Sequence, residues 1–347
     1  MNETRPVRPG EELDPDALGE WITERLGITG PIIVSQFPAG HSNLTYLVEM
    51  GGRELVLRRP PIGVHVKSGH DMRREYRILD RLHPVWHRTP SPVAMCEDET
   101  VIGAPFYLMT RVHGTILRST SPVPTPDTMR RICVAFVETF AEIHGIDFTG
   151  AGLAPLGRPA GYVERQVGGW SRRWRDSAIA PVPAIDATIE WLVANQPAES
   201  GAAVIHNDFK FDNLVLDPRD LGQVKAVLDW EMATLGDPLM DLGSSLAYWV
   251  EAGDPPDMRD IAGGPTTAPG AATRSEIVDD YADVTGVDPG DMVFYYAFGL
   301  FRLAVIAQQI YYRYHHGLTS DQRFASFGAG AQALGEAAQQ VILSREI

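Results

Sequence analysis

Asp208, Asn213 and Asp229 are the three residues of this chain whose types and spacing best suit them to joint chemistry. They lie in the stretch 203–242, AVIHNDFKFDNLVLDPRDLGQVKAVLDWEMATLGDPLMDL. Two apolar, β-prone runs, 214–216 and 224–228, flank the turn-rich segment 217–223, the local signature of a hairpin. Antiparallel pairing of the runs brings Asn213, at the start of the first, and Asp229, at the end of the second, to the same end of the ribbon. Asp208 sits just upstream. One amide and two carboxylates converging on a spot suit a hard cation such as Mg²⁺, which keeps waters and shares its shell with phosphates.

The spacing His206-x-Asp208-x-x-x-x-Asn213, then a hydrophobic strand ending in Asp229, then Gly236-Asp-Pro-x-x-Asp241, is the catalytic-loop and metal-aspartate pattern of kinases. Asp and Asn also favour turns and strand ends, but turn chemistry alone does not call for this order. HNDFKFDN…VLDWEMATLGDPLMDL resembles the aminoglycoside phosphotransferase-like family of small-molecule kinases, which includes the choline kinase type. Within it, LDWE and GDPLMDL are most similar to the branch whose members also occur fused to acyl-CoA dehydrogenases. The resemblance implies ATP and Mg²⁺ as cofactors and transfer of the γ-phosphate to a hydroxyl of a small-molecule acceptor. It gives Asp208 the hydroxyl proton to accept or orient, and the metal to Asn213 and Asp229. Lys210 matches the lysine of kinase catalytic loops, which neutralises the γ-phosphoryl group; a solvent-facing lysine is the plain alternative. His206 and Asp241 are architectural by the same resemblance, the aspartate bracing the loop backbone. Asn207 stands where the family usually has glycine, and asparagine is among the residues that best tolerate positive φ.

The elements that must position these residues follow an α+β, protein-kinase-like bilobal plan. A small N-terminal lobe with an antiparallel sheet covers 1–109 and binds nucleotide, and a larger, mainly helical lobe covers 110–347 and holds catalysis and the acceptor. An Asp-Pro entry starts a helix over 14–26, with Leu18, Ile22 and Leu26 at helical spacing. Strands are expected over 32–37, 45–49 and 54–58. The loop between the first two, AGHSN, lacks a G-x-G-x-x-G, yet Gly40, Ser42 and Asn43 could donate to phosphate oxygens, and similar GxSN loops occupy this place in the resembled branch. Where kinases carry a strand lysine, this chain offers Arg58, in phase with Val56, with Arg59 and Lys67 as the other candidates. Glu75 falls on one helical stripe with Met72, Leu79 and Leu82, so it needs a cationic partner unless it snorkels at the stripe's edge.

The run 106–112, FYLMTRV, reads as a strand entering the place where kinases hinge and bind adenine through main-chain groups, here Thr110 and Val112; an ordinary buried strand reads the same. Thr125-Pro126 opens a strong amphipathic helix whose His144 reads as a satisfied core histidine. The segment 158–176 holds five arginines and two tryptophans. Helices in this place contribute to the acceptor site in the resembled family, which makes Arg165, Trp170, Arg172 and Trp174 acceptor candidates against the alternative of a solvated face. Residues 253–272 form a Pro/Gly/Ala-rich loop, and helices over 275–285, 292–315 and 321–344 complete the second lobe.

Composition narrows the partners. The 347 residues are 44% hydrophobic and 22% charged, ordinary for a globular chain, and carry a formal net charge of −15. That charge, with no large Lys/Arg cluster, argues against nucleic acid and anionic membrane. Cys96 and Cys133 stand far apart without zinc-spaced histidines, so neither a disulfide framework nor a metal site is expected. The N-terminus lacks an apolar h-region, which points to the cytoplasm. The apolar run 294–310 contains Arg302 and is short for a bilayer span, so a buried helix is expected. Arginine suits carboxylate and phosphate, so the basic segment favours an anionic acceptor over an aminoglycoside, and the resemblance to the dehydrogenase-fused branch implies a hydroxyacyl-CoA as one such acceptor. A pseudokinase that holds nucleotide without turnover is the alternative of another class, and the oligomeric state is open.

Overall fold

The computed structural model describes residues 4–38, 43–61, 71–118, 120–259, 264–319 and 321–347. The chain forms two compact units, one of Met1–Gly114 with Lys225–Met232 and one of Thr115–Val224 with Ala233–Ile347. The first therefore extends past the expected division at 109. Thr110 is still a rung of its sheet, and Val227 donates its N–H to the Arg88 carbonyl at 2.8 Å.

In the first unit, α1 (Pro15–Leu26) begins because the Asp14 carboxylate accepts the N–H groups of Asp16 and Ala17, and ends at Gly27 with φ 67°. Strands β1 (Ile32–Gln36), β2 (Leu44–Met50), β3 (Arg53–Arg59), β4 (Pro92–Cys96) and β5 (Phe106–Thr110) make an antiparallel sheet in the order β1-β2-β3-β5-β4. Period-2 alternation divides β3. Leu55 and Leu57 enter a core with Leu18 and Ile22 of α1, Tyr46 and Val48 of β2, and Phe106 and Leu108 of β5. Val56 and Arg58 take the opposite face. Helix α2 (Met72–Leu82), capped by Asp71, buries Met72, Glu75, Ile78, Leu79 and Leu82.

The second unit is mainly helical: α3 (Pro126–His144), α4 (Tyr162–Ser177), α5 (Pro183–Ala194), α6 (Pro238–Leu246), α7 (Pro256–Arg259), α8 (Arg274–Thr285), α9 (Met292–His315) and α10 (Phe327–Ser344). Strands β6 (Ala203–Ile205) and β9 (Thr234–Gly236) pair antiparallel on either side of residues 206–233. Between them, β7 (Leu214–Asp217) and β8 (Asp220–Val227) form a two-stranded sheet. Its turn is Pro218-Arg219 alone, shorter than the expected 217–223, because the Asp217 carboxylate accepts the Arg219 N–H at 2.7 Å and closes the chain at once.

Helix α9 is buried on nearly every side from Met292 to Val305 and packs on α4, α6 and α10. It is long and apolar enough to cross a membrane by composition, but 78% of that window is buried inside the protein. Helices α6 and α9 meet backbone to backbone: a Cβ on Gly299 would fall inside the Gly243 carbonyl, and one on Gly243 inside the Tyr295 carbonyl. The expected helix over 321–344 is instead a 3₁₀ turn, Gln322–Ser326, followed by α10, since Asp321 caps the tighter turn through Arg323 N.

Candidate active site

In the first unit the site is built around Arg58. One terminal nitrogen of its guanidinium lies 2.7 Å from Glu75 Oε1; the other lies 3.0 Å from Asp229 Oδ1 and 3.3 Å from Glu231 Oε2. Arg58 and Glu75 are both buried, whereas the Asp229 side chain is 31% exposed. Burial opposes the charge on Arg58, but the carboxylates around it prevail and hold the guanidinium well above its ordinary value. Burial also pushes the Glu75 carboxyl up, against the pull of Arg58. Of the three strand candidates, Arg59 turns to the other face, where it donates to the Ile102 carbonyl at 2.8 Å. Lys67, with Gly40 and Ser42, lies outside the described residues. Asn43 is buried and donates its amide to Glu231 Oε2. Thr110 ends β5, and Val112 follows it half-buried.

Asp229 adopts φ 68°, a left-handed conformation uncommon for a non-glycine residue. The turn around it is pinned by Trp230, whose indole N–H donates to the Val227 carbonyl at 2.9 Å and whose ring meets Trp86 edge-on. Arg74 donates to the Glu231 carbonyl at 2.8 Å.

In the second unit the loop between β6 and β7 carries Asp208. Helix α6 holds it: Asp241, wholly buried, accepts the N–H of His206 and of Asn207, each at 2.7 Å, and Ser245 donates to the Phe209 carbonyl at 2.7 Å. Asn207 is left-handed at φ 64°, and its side-chain oxygen accepts from the Tyr162 hydroxyl at 3.2 Å. His144 bridges Tyr281 and the same Asp241, as a satisfied core histidine. Phe209 and Phe211 bury themselves against Phe136, and Phe209 also stacks on Phe140 at 4.3 Å.

Asp208 gathers donors. Lys210 Nζ lies 2.9 Å from its carboxylate, Asn213 Nδ2 donates to Oδ2 at 3.0 Å, and Tyr248 adds a side-chain hydrogen bond. Burial works against ionisation of Asp208, but Lys210 and the hydrogen bonds outweigh it and keep the carboxyl below the usual carboxylate range. Asn213 thus spends its amide nitrogen on Asp208 and the Asp208 carbonyl, leaving the amide oxygen as the group to offer a cation.

The acceptor candidates need correction. Trp170 and Trp174 are 6% and 3% exposed, so neither presents a face for an incoming flat group; both are core residues of α4. Arg165 donates to the carbonyls of Arg158 and Ala160 and ties down the preceding loop. Arg172 is exposed. Residues to which the sequence reading gave no part in a site are Glu231, Tyr107, which is buried on β5 beside Glu75, Tyr248 and Arg302. Glu231 had a signal, an acid two positions past Asp229; the other three had none beyond their apolar settings.

The profile of the family described as "Phosphotransferase enzyme family" matches residues 33–274, the greater part of the chain. The chain belongs to this phosphotransferase family. Mouse acyl-CoA dehydrogenase family member 10 is 35% identical over 340 residues, covering 96% of this chain but 32% of its own length. The chain thus spans about a third of that relative. Among solved structures, a candidate aminoglycoside phosphotransferase from Ralstonia eutropha JMP134 superposes with a TM-score of 0.82 at 32% identity, covering 96% of this chain and 99% of that one. Choline kinase from Cryptosporidium parvum shares the fold, with a TM-score of 0.64 at 11% identity over 95% of this chain and 97% of that one. The kinase-like α+β fold and the small-molecule phosphotransferase family are therefore those expected from residues 203–242.

Proposed function

We propose that this phosphotransferase transfers the γ-phosphate of ATP, with Mg²⁺, to a hydroxyl of an anionic small molecule. The observation that carries the reading is Asp208, kept ionised by Lys210, Asn213 and Tyr248 on a loop whose backbone is held by Asp241. A carboxylate so well supplied with donors is a weak base, suited to orienting a hydroxyl rather than removing its proton early. That role matches a loose, metaphosphate-like transfer, where positioning and charge neutralisation dominate.

The donor set suits the metal. Glu75, Asp229 and Glu231 all approach the Arg58 guanidinium, and Asp229, 31% exposed, is the one among them most open to a divalent cation. Asp229 and the Asn213 amide oxygen are the ligands we assign to Mg²⁺, which takes few protein oxygens and completes its shell with water and phosphate. When bound at those residues, the metal would supply positive charge that offsets the negative charge developing on the phosphates. Arg58 would reach the phosphates from its Glu75 anchor, Lys210 would turn from Asp208 toward the transferring group, and Thr110 and Val112 would meet adenine through main-chain atoms. Gly40 and Ser42 belong to this reading on sequence alone.

An anionic acceptor, such as a hydroxyacyl-CoA, is supported by the basic face of α4 and by a relative named for acyl-CoA dehydrogenation. An aminoglycoside is the second reading, favoured by the name of the Ralstonia structure and by the net charge of −15. ADP release measured across hydroxyacyl-CoAs, hydroxy acids and kanamycin, with and without Mg²⁺, separates these two readings from a pseudokinase. The last would bind ATP and release no ADP with any acceptor.

A further inference from the structure

The second unit holds a cavity of about 430 Å³ beside the N-terminal end of α6, and none of the residues assigned to phosphotransfer lines it. That volume falls in the range of sites for small organic ligands. Its walls come from the end of α5, the segment that follows α5, Leu239 of α6 and the start of α9. They are largely aromatic. Trp191 of α5 and Phe294 of α9 stand with ring centroids 6.2 Å apart, and Tyr295 meets Phe294 edge-on at 5.5 Å.

Tyr295 shows what the cavity lacks. Its carbonyl and Cβ lie against Gly243 of α6, so its ring and hydroxyl are what it presents to the cavity. The residue is 4% exposed, yet its hydroxyl has no hydrogen-bond partner among the described residues. The acid it feels, Asp237, is already saturated: it accepts the N–H groups of Ser200, Leu239 and Met240 and the Ser200 hydroxyl, at 2.6, 2.9, 3.3 and 2.7 Å. Burial and that carboxylate push the phenol up from its ordinary value, so the hydroxyl stays protonated. A buried donor left unpaired is costly, and an acceptor brought in by a ligand would relieve it.

The mouth is acidic. Asp288 and Asp291 are exposed there together with Arg345. Arg345 pairs with Asp291, which also caps α9 by accepting the Val293 N–H at 3.0 Å. Asp288 accepts the Gly290 N–H at 2.9 Å through one oxygen and has no cationic partner among the described residues. One carboxylate at the mouth is therefore uncompensated.

We propose that this cavity is a second ligand site, built for an aromatic amine whose ring packs against Trp191 and Phe294, whose oxygen accepts from the Tyr295 hydroxyl and whose ammonium meets Asp288. Aromatic walls favour a cation as well as a flat ring, and the net charge of −15 draws cations toward the surface.

The test is calorimetric titration of the full chain with three phenols that differ in charge: tyramine, the neutral tyrosol and the anionic 4-hydroxyphenylacetate. Phenethylamine, a cation without the phenol oxygen, is the fourth probe. Tyramine is expected to bind best, and phenethylamine more weakly by roughly threefold to tenfold, the size of one hydrogen bond. Tyr295→Phe should erase the difference between those two amines. Because it removes a hydroxyl without a partner, it should leave the thermal midpoint unchanged or raised. Asp288→Asn should lower tyramine affinity by roughly twofold to fivefold, the scale of an exposed ion pair, and leave that of tyrosol unchanged. Ala198 is an exposed lining residue, so Ala198→Trp should fill the space and abolish binding of every probe. No binding of tyramine, equal affinity for tyramine and 4-hydroxyphenylacetate, or full tyramine affinity in Ala198→Trp overturns the proposal. So does a fall in the thermal midpoint of Tyr295→Phe, which would mean that the hydroxyl already has a partner.

Discussion

Arg58 answers Glu75, Asp229 and Glu231 at once, and its removal would strand Glu75 in a buried setting without a counter-ion. Arg58→Ala is therefore expected to destabilise the protein by about 3–5 kcal/mol, whereas the joint change Arg58→Met with Glu75→Leu should recover most of that loss. Urea unfolding midpoints of the single and double variants measure the difference. Arg58→Lys keeps the charge but loses the fork that spans Glu75 and Asp229, so its effect should fall on ATP affinity more than on stability. Asp208→Asn should leave ATP binding intact and lower turnover by roughly two to four decades, the usual scale of general acid–base help. Cys133 gives a prediction in pH. Burial pushes its thiol up to about 11, so the neutral form is favoured by folding. The stability this contributes is complete below the ordinary thiol value of about 8.5 and is lost as pH rises toward 11. Iodoacetamide at pH 8 should accordingly label Cys133 in urea and spare it in the native protein.

Among the elements, the close contact between Gly243 of α6 and Gly299 of α9 fixes the seat of α6, which carries the Asp241 brace of the Asp208 loop. Gly299→Ala should cost about 1–3 kcal/mol, the usual penalty for overpacking a filled core, and should lower turnover further by displacing the Asp241 brace. Thermal melts and turnover on one protein preparation test both parts. The elements legible in the sequence were those with strong local signals. Asp14-Pro15 opened α1, the stripe Met72-Glu75-Leu79-Leu82 defined α2, and Thr125-Pro126 opened α3. The kinase resemblance called for a strand cation held by a helix glutamate; alternation along β3 favoured Arg58 over the other candidates, Arg59 and Lys67, and the apolar stripe of α2 singled out Glu75. What escaped was settled by tertiary contacts. The arginine-rich α4 reads as an open binding face, yet Val163, Val167, Trp170 and Trp174 turn inward and leave the other side to the charges. Tyr248 and Arg302 sit in apolar runs far from Asp208 in sequence, and no local spacing relates them to it. Short β4 and β9 lack a periodic run long enough to stand out.

At the scale of the whole molecule, a net charge of −15 and a local group of arginines pull in opposite directions on an approaching substrate. The overall field attracts cations at long range and weakens with salt, whereas the buried Arg302 is screened far less. Affinity for an anionic acceptor should therefore rise modestly between low and physiological ionic strength, and affinity for an aminoglycoside should fall. The most direct measurement is ³¹P NMR of the full chain with ATP, Mg²⁺ and a 3-hydroxyacyl-CoA, run beside Asp208→Asn. The account predicts ADP together with a new phosphate monoester resonance in the wild type, and neither at a comparable rate in the variant. ADP accompanied only by inorganic phosphate, or equal monoester formation by Asp208→Asn, would contradict it.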